Sequence, residues 1–143
     1  MSAYLDTSVL LPRIVEEPAS ETVRQYLYSE ERELLVSDFA AAELASALSR
    51  LVRMRLLEAV DAAARLDDFE VWRAATTSPI DLHTSDARLA YMFVRRFELM
   101  LRAPDAVHLA IARRLDATLV TLDRRLFNAA RELGLSVAEV MEG

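Results

Sequence analysis

Cysteine is absent, which excludes disulfides and thiolate metal sites from the start. Lysine is absent too: all 17 basic residues are arginine, and glycine occurs only at Gly134 and Gly143. A Walker A loop needs a glycine-rich backbone followed by lysine, and a dinucleotide-binding turn needs three spaced glycines at a strand end. Neither can be assembled from this chain, so no nucleotide cofactor is expected. A phosphoryl receiver, which relies on a lysine near its aspartates, is poorly served as well. Apolar stretches such as Val9 to Leu11 and Phe39 to Ala42 stay far below the roughly 20 residues needed to cross a bilayer. Asp6 and Arg13 interrupt any basic-then-apolar leader at the start, so retention in the cytoplasm is expected.

What is present is apolar and acidic. Hydrophobic residues make up 53% of 143, a length that suits one domain, 1–143, able to bury a real core. The formal net charge of -6 argues against indiscriminate binding to polyanions, whose affinity for proteins comes mostly from basic groups on phosphates. Two divalent cations would leave the total at about -2 and would change the local field most.

Short apolar runs alternate with longer helical stretches, the pattern of βαβ units around a mostly parallel sheet. Strands are expected at Ala3 to Asp6, Leu34 to Ser37, Ile80 to Leu82, Thr118 to Leu122 and Leu135 to Val137. Helices are expected near Val9 to Val15, Ser20 to Tyr28, Phe39 to Val52, Glu58 to Arg73, Asp86 to Arg96, Pro104 to Arg114 and Arg124 to Leu133. Pro104 at a first helical position and Gly134 after the last helix punctuate the pattern. The expected architecture is a three-layer α/β/α domain with a central parallel sheet of four or five strands. In such sheets ligands bind beyond the carboxyl ends of the strands, so strand-to-helix junctions are the first places to inspect.

Four acids attract attention there. Asp6 ends the segment Ala3, Tyr4, Leu5, and Asp123 ends Thr118 to Leu122, so two junctions carry the same strand, acid, helix arrangement. Either could simply cap the helix that follows. Glu43 is the only ionisable residue from Phe39 through Ser49; unpaired in a buried setting it would cost several kcal/mol, so it is exposed, protonated or bound to a cation. Asp105 opens an almost wholly apolar helix, where it could do no more than complement the helix dipole. Taken jointly the acids say more. Carboxylates gathered at one end of a sheet repel unless a cation lies between them, and hard oxygen ligands select Mg²⁺ or Mn²⁺. Such a site suits phosphodiester hydrolysis by an activated water.

The pieces YLDTSVLL, the glutamate in AAAELASAL, LRAPDAVHLAIARR and LVTLDRRL resemble the successive motifs of the PIN-domain ribonucleases, in the family's order and over nearly the whole chain. The resemblance implies a PIN-like fold and places Asp6, Glu43, Asp105 and Asp123 at the acidic catalytic and metal-binding positions. Thr7 and Ser8 match the polar pair after the first acid, and Thr121 matches the hydroxyl residue two places before the last. Chains of this size and pattern are usually toxins of the VapC type. That implies RNA cleavage, a cognate antitoxin and a homodimer, and leaves the target RNA open. Asp116 stands where glycine is common and is expected to tolerate a left-handed turn. The competing reading is a catalytically silent PIN-like module that binds RNA or protein. A dehalogenase-type phosphatase is disfavoured because Ser8 stands where a second aspartate belongs.

Other residues have plainer expected roles. His108, three residues after Asp105, is read as a packed, hydrogen-bonded histidine rather than a metal ligand, since hard-oxygen sites seldom recruit imidazole. Asp38 and Asp86 are read as helix caps, His83 as a loop residue, and Asp67, Asp68 and Asp81 as surface charge. Arg50, Arg53 and Arg102 are candidates for gripping RNA phosphates, against the alternative of solvated helix ends. The stretch Leu51 to Val60 could face a partner or pack in the core.

Overall fold

A computed structural model describes residues 1–140. Along the chain run β1 (Ala3–Leu5), α1 (Thr7–Ile14), α2 (Ser20–Ser29), β2 (Leu34–Ser37), α3 (Asp38–Arg53), α4 (Ala59–Thr76) and β3 (Thr77–Ile80). There follow α5 (Thr84–Val94), a single 3₁₀ turn (Phe97–Leu99), α6 (Ala103–Arg114), β4 (Thr118–Thr121), α7 (Arg124–Glu132) and β5 (Val137–Glu139). The five strands form one sheet in the order β3-β2-β1-β4-β5, and every neighbouring pair is parallel. Tyr4 stands opposite Leu35 on one side and Leu119 on the other. The chain therefore winds outward from β1 in one direction, then crosses back to lay β4 against the free side of β1. That crossing is a topological switch point, which opens a crevice at the carboxyl ends of β1 and β4.

The period-two alternation of a strand divides the core into two halves. Tyr4, Leu35 and Leu119 face one way and pack with Phe93 of α5, Leu109 and Ile111 of α6 and Leu126 of α7. Ala3, Leu5, Val36 and Val120 face the other way, against Val9 and Leu10 of α1, Leu44 and Leu48 of α3 and Phe69 of α4. The three central strands are buried along their whole length, as parallel strands covered on both faces must be, whereas β3 and β5 at the edges are half-exposed. No helix among the described residues is long and apolar enough to cross a membrane.

Two strands lie where the sequence did not put them. The third was expected at Ile80 to Leu82 and instead runs Thr77–Ile80, ending before the exposed Leu82. Pro79 disguises it. An edge strand pairs on one side only, so a residue without an N–H is tolerated there. The fifth was expected at Leu135 to Val137, but the Leu135 N–H closes the end of α7 on the Ala130 carbonyl at 2.9 Å, and pairing starts at Val137. Gly134, at φ 75°, makes the turn that allows this closure. Asp116 takes the left-handed conformation expected of it, at φ 50°.

The helix starts bring a further correction. Asp38 does not cap α3; Ser37 does, its Oγ accepting the Ala40 N–H at 3.0 Å, while Asp38 pairs with Arg73. Asp86 does accept the His83 N–H, at 2.9 Å, but it is also the buried anchor of an ion pair that the sequence did not reveal. Arg114 of α6 donates Nε to Asp86 Oδ1 at 2.8 Å and Nη2 to Oδ2 at 3.0 Å, and reaches the Asp81 carbonyl. This fork ties α5 to the end of α6. Burial works to raise the Asp86 carboxyl, but the guanidinium and the His83 N–H outweigh it and hold it below its ordinary range.

Asp86→Ala would leave the guanidinium without its counter-charge, and a loss of about 3 kcal/mol is expected. Because the folded-state carboxyl lies below its ordinary 3.8, the pair's contribution is complete above that pH and fades as pH falls through the depressed value. Urea unfolding of wild type and Asp86→Ala at neutral and acid pH measures both effects. Coincident midpoints at neutral pH would show that the pair does not secure α6.

Candidate metal-binding and catalytic site

Asp6 occupies the residue between β1 and α1, the position of a helix cap, but its side chain does not cap. Its Oδ1 accepts the Ser8 hydroxyl at 2.6 Å and its Oδ2 accepts the Thr121 hydroxyl at 2.8 Å. Thr121 is the last residue of β4, so this bond ties the two strand ends across the switch point. Ser8 adds to the tie by accepting the Leu122 N–H at 2.9 Å, and the Thr121 oxygen accepts the Asp123 N–H at 3.0 Å. Of the four acids, Asp6 is the most deeply enclosed, at 4% exposure. A carboxylate buried among two hydroxyls with no cationic side chain bonded to it is not a structural economy, because burying charge without a counter-charge is costly.

Asp123 does cap α7: its Oδ1 accepts the backbone N–H of Arg125 at 2.9 Å and of Leu126 at 3.2 Å. Asp105 sits in the first turn of α6, and its Oδ2 accepts the Arg102 N–H at 3.3 Å. Glu43, at the second turn of α3, gives its Oε1 to the Thr7 hydroxyl at 2.8 Å and to His108 Nε2 at 2.5 Å. In all three, one oxygen is held by the protein while the other accepts no hydrogen bond within the described residues. The capping and dipole readings of Asp123 and Asp105 are thus correct as far as they go, and they account for half of each carboxylate.

The electrostatics connect the four. Burial pushes the Asp6 carboxyl above its usual range and the charge of Asp123 adds to it; His108 and the two hydroxyls oppose the shift without cancelling it. Burial also raises Asp105, opposed by the Arg102 N–H and His108 and reinforced by the charges of Asp123 and Glu43. Glu43 goes the other way. Its burial is outweighed by the hydrogen bonds from His108 and Thr7, and its carboxyl lies below the usual range. Asp105 and Asp123 line an open cleft of about 560 Å³ together with Arg102, Arg124 and Arg125.

The donor set is all oxygen, which fits a hard divalent cation and not zinc or copper. Within the described residues the acids do not close into a ready cage around one point. Like charges with no cation between them separate, and magnesium keeps several of its own waters while using only one or two carboxylates.

The other sequence candidates divide. Thr7, Ser8 and Thr121 each bond a candidate acid directly. Arg102 lines the cleft; Arg50 and Arg53 lie in the last turns of α3, with Arg53 bonded to Ser49, and are not among the lining residues. Arg124 and Arg125 line it instead, and their place directly after Asp123 was the signal that could have found them. His108 is packed and hydrogen-bonded as expected, 3% exposed, and its partners are Glu43 and Tyr4, both far from it in sequence.

The PIN domain matches residues 3–132 of the chain. Ribonuclease VapC46 of Mycobacterium tuberculosis is 33% identical over 140 residues, covering 94% of each protein. Among solved structures, VapC20 of Mycobacterium tuberculosis, described as a sarcin-ricin-loop-cleaving toxin, superposes with a TM-score of 0.73 at 17% identity, covering 90% of this chain and 95% of that one. A toxin–antitoxin complex from Klebsiella pneumoniae gives a TM-score of 0.69 at 18% identity, covering 99% and 100%. With the motifs in order and the sheet wound as these structures wind it, the chain belongs to the PIN-domain family, in its VapC type.

Proposed function

We propose that the chain is a divalent-metal-dependent endoribonuclease and the toxin of a toxin–antitoxin pair, with Mg²⁺ or Mn²⁺ held by Asp6, Glu43, Asp105 and Asp123. The observation that carries this reading is the shared state of the acids. They come from four elements, act on one another's charge, and three of them keep an oxygen unclaimed by the protein. The kinship to a ribonuclease at 33% identity supplies the reaction class. A bound divalent ion supplies Lewis-acid polarisation of a phosphate and a water of lowered pKa.

The chain's own residues do the rest. Ser8 and Thr121 fix both oxygens of Asp6, and Thr7 fixes one of Glu43, so the donors need not be ordered when RNA arrives. Arg102, Arg124 and Arg125, which line the cleft with Asp105 and Asp123, would hold phosphates flanking the scissile bond. Arg124 is already committed in part to Glu139, which leaves Arg102 and Arg125 as the stronger pair. Arg50 and Arg53 would contact only more distant stretches of RNA. The silent binding module gains no support, since all four acids are present at their motif positions.

A cognate antitoxin, a homodimer and a cytoplasmic place of work belong to the same reading. The stretch Leu51 to Val60 divides: Leu51, Val52 and Leu57 pack against the core, while Met54 at 52%, Leu56 at 66% and Val60 at 75% exposure are open to a contact. One domain, 1–143, would carry the whole activity.

Two measurements test the proposal. Purified protein incubated with RNA and Mg²⁺ or Mn²⁺ should cut, and EDTA should abolish the cuts. Asp6→Asn should fall to about 1% of the wild-type rate or below, since removing even outer partners of a metal ligand costs 10–100-fold. The same variant should melt no lower than wild type in metal-free buffer, because an amide relieves a buried charge. Cutting that survives EDTA would overturn the proposal; inertness with tight RNA binding would restore the binding module. For the cleft, Arg102→Ala and Arg125→Ala should each raise KM and flatten its dependence on salt by about one phosphate contact, leaving kcat nearly unchanged. An unaltered KM in both would remove them from the RNA path.

A further inference from the structure

Glu43 differs from the other three acids. They follow strands or open helices, where backbone N–H groups or strand-end hydroxyls hold them, but Glu43 stands inside α3 on a long side chain with three rotatable bonds. Something else must hold it. His108 does so from α6, and behind His108 lies a line of buried hydroxyls with no role in the chemistry proposed above.

Tyr4 is wholly buried in β1, and its Oη lies 2.6 Å from His108 Nδ1 and 2.8 Å from Ser37 Oγ. Ser37, also fully buried, accepts the Ala40 N–H at 3.0 Å. The imidazole is wedged between the Tyr4 and Phe39 rings, with centroids 5.7 and 5.3 Å away, so it cannot turn freely. Proton positions follow from counting donors. Glu43 Oε1 can only accept, so His108 Nε2 donates to it. On the far side of the ring, Tyr4 Oη bridges His108 Nδ1 and Ser37 Oγ, and Ser37 Oγ in turn accepts from the Ala40 N–H, so each member of the line is hydrogen-bonded to the next.

We infer that Ser37, Tyr4 and His108 form a buried relay that fixes the carboxylate of Glu43 for a divalent cation, making His108 and Tyr4 positioning residues for phosphodiester cleavage. The inference rests on the metal-dependent reading above. Its structural consequence is an asymmetric carboxylate: Oε1 takes both Thr7 and His108, and Oε2 is left for the ion. The relay also spans the fold, from the cap of α3 through β1 to α6, so the helix that carries Glu43 and the helix that carries Asp105 are set against each other through one side chain. Outer partners of this kind are worth 10–100-fold in metal affinity.

Mn²⁺ binding to the RNA-free full chain, measured by titration calorimetry or by the loss of the free-ion electron-spin-resonance signal, tests the relay without relying on activity. His108→Gln, whose amide nitrogen reaches the place of Nε2, should bind Mn²⁺ nearly as well as wild type. His108→Asn reaches only the place of Nδ1 and should lose about 10–100-fold, as should His108→Leu. Tyr4→Phe keeps the ring and removes the hydroxyl, and it should lose several-fold with little change in melting temperature. If His108→Leu fails to fold, the Asn and Phe variants decide. Unchanged affinity in both, with Asp6→Asn impaired, would reduce the relay to packing while leaving the metal reading intact. Unchanged affinity in Asp6→Asn and Glu43→Gln as well would overturn both.

Discussion

The pairing of β1 with β4 is the constraint on which the rest of this structure depends. It joins residues from opposite ends of the chain, Ala3 beside Thr118 and Leu5 beside Val120. Nothing local demands that contact. It forms because both strands are buried on both faces and can satisfy their backbone groups only by pairing, and because the two halves of the core seal over them. Asp6 and Asp123 come together as its by-product. The hydroxyl of Thr121, donated to Asp6, is where sheet pairing turns into site geometry.

That arrangement has a cost in the metal-free protein. Burial disfavours the charged carboxylates and the neighbouring acids add to it, which is why Asp6 and Asp105 are held above their ordinary carboxylate range. A fold that carries such a site must offset it elsewhere. The Asp86–Arg114 fork does so nearby, joining α5 to the end of α6, the helix whose first turn presents Asp105. The arginine of that fork and Asp105 thus lie at opposite ends of α6, with the buried Ala106 and Leu109 to Ala112 between them.

Glu43 illustrates a different solution. It is half-buried yet lies below the ordinary range, because Thr7 and His108 each donate to it. The same bonds that lower its pKa restrict its rotation, so electrostatic tuning and positioning come from one set of contacts. A carboxylate oriented in advance loses less freedom when it takes up a ligand.

The sequence by itself determined the layered α/β class, most helices, three central strands and the places of Asp6 and Asp123 at strand ends, because these rest on local patterns: apolar runs of strand length, helical spacing, and an acid before a helix. It misplaced β3 and β5, where Pro79 and the closing turn after α7 hide strand pairing behind loop-like residues. It read Asp38 as a cap that Ser37 supplies, and it did not single out Arg124 and Arg125, which line the cleft with Arg102. Only the tertiary structure decided what His108 holds, which oxygen of each acid is taken, and which arginines share the cleft. These are distances between residues far apart in the chain, fixed by the packing of six or more elements at once, and no local pattern of residue types encodes them.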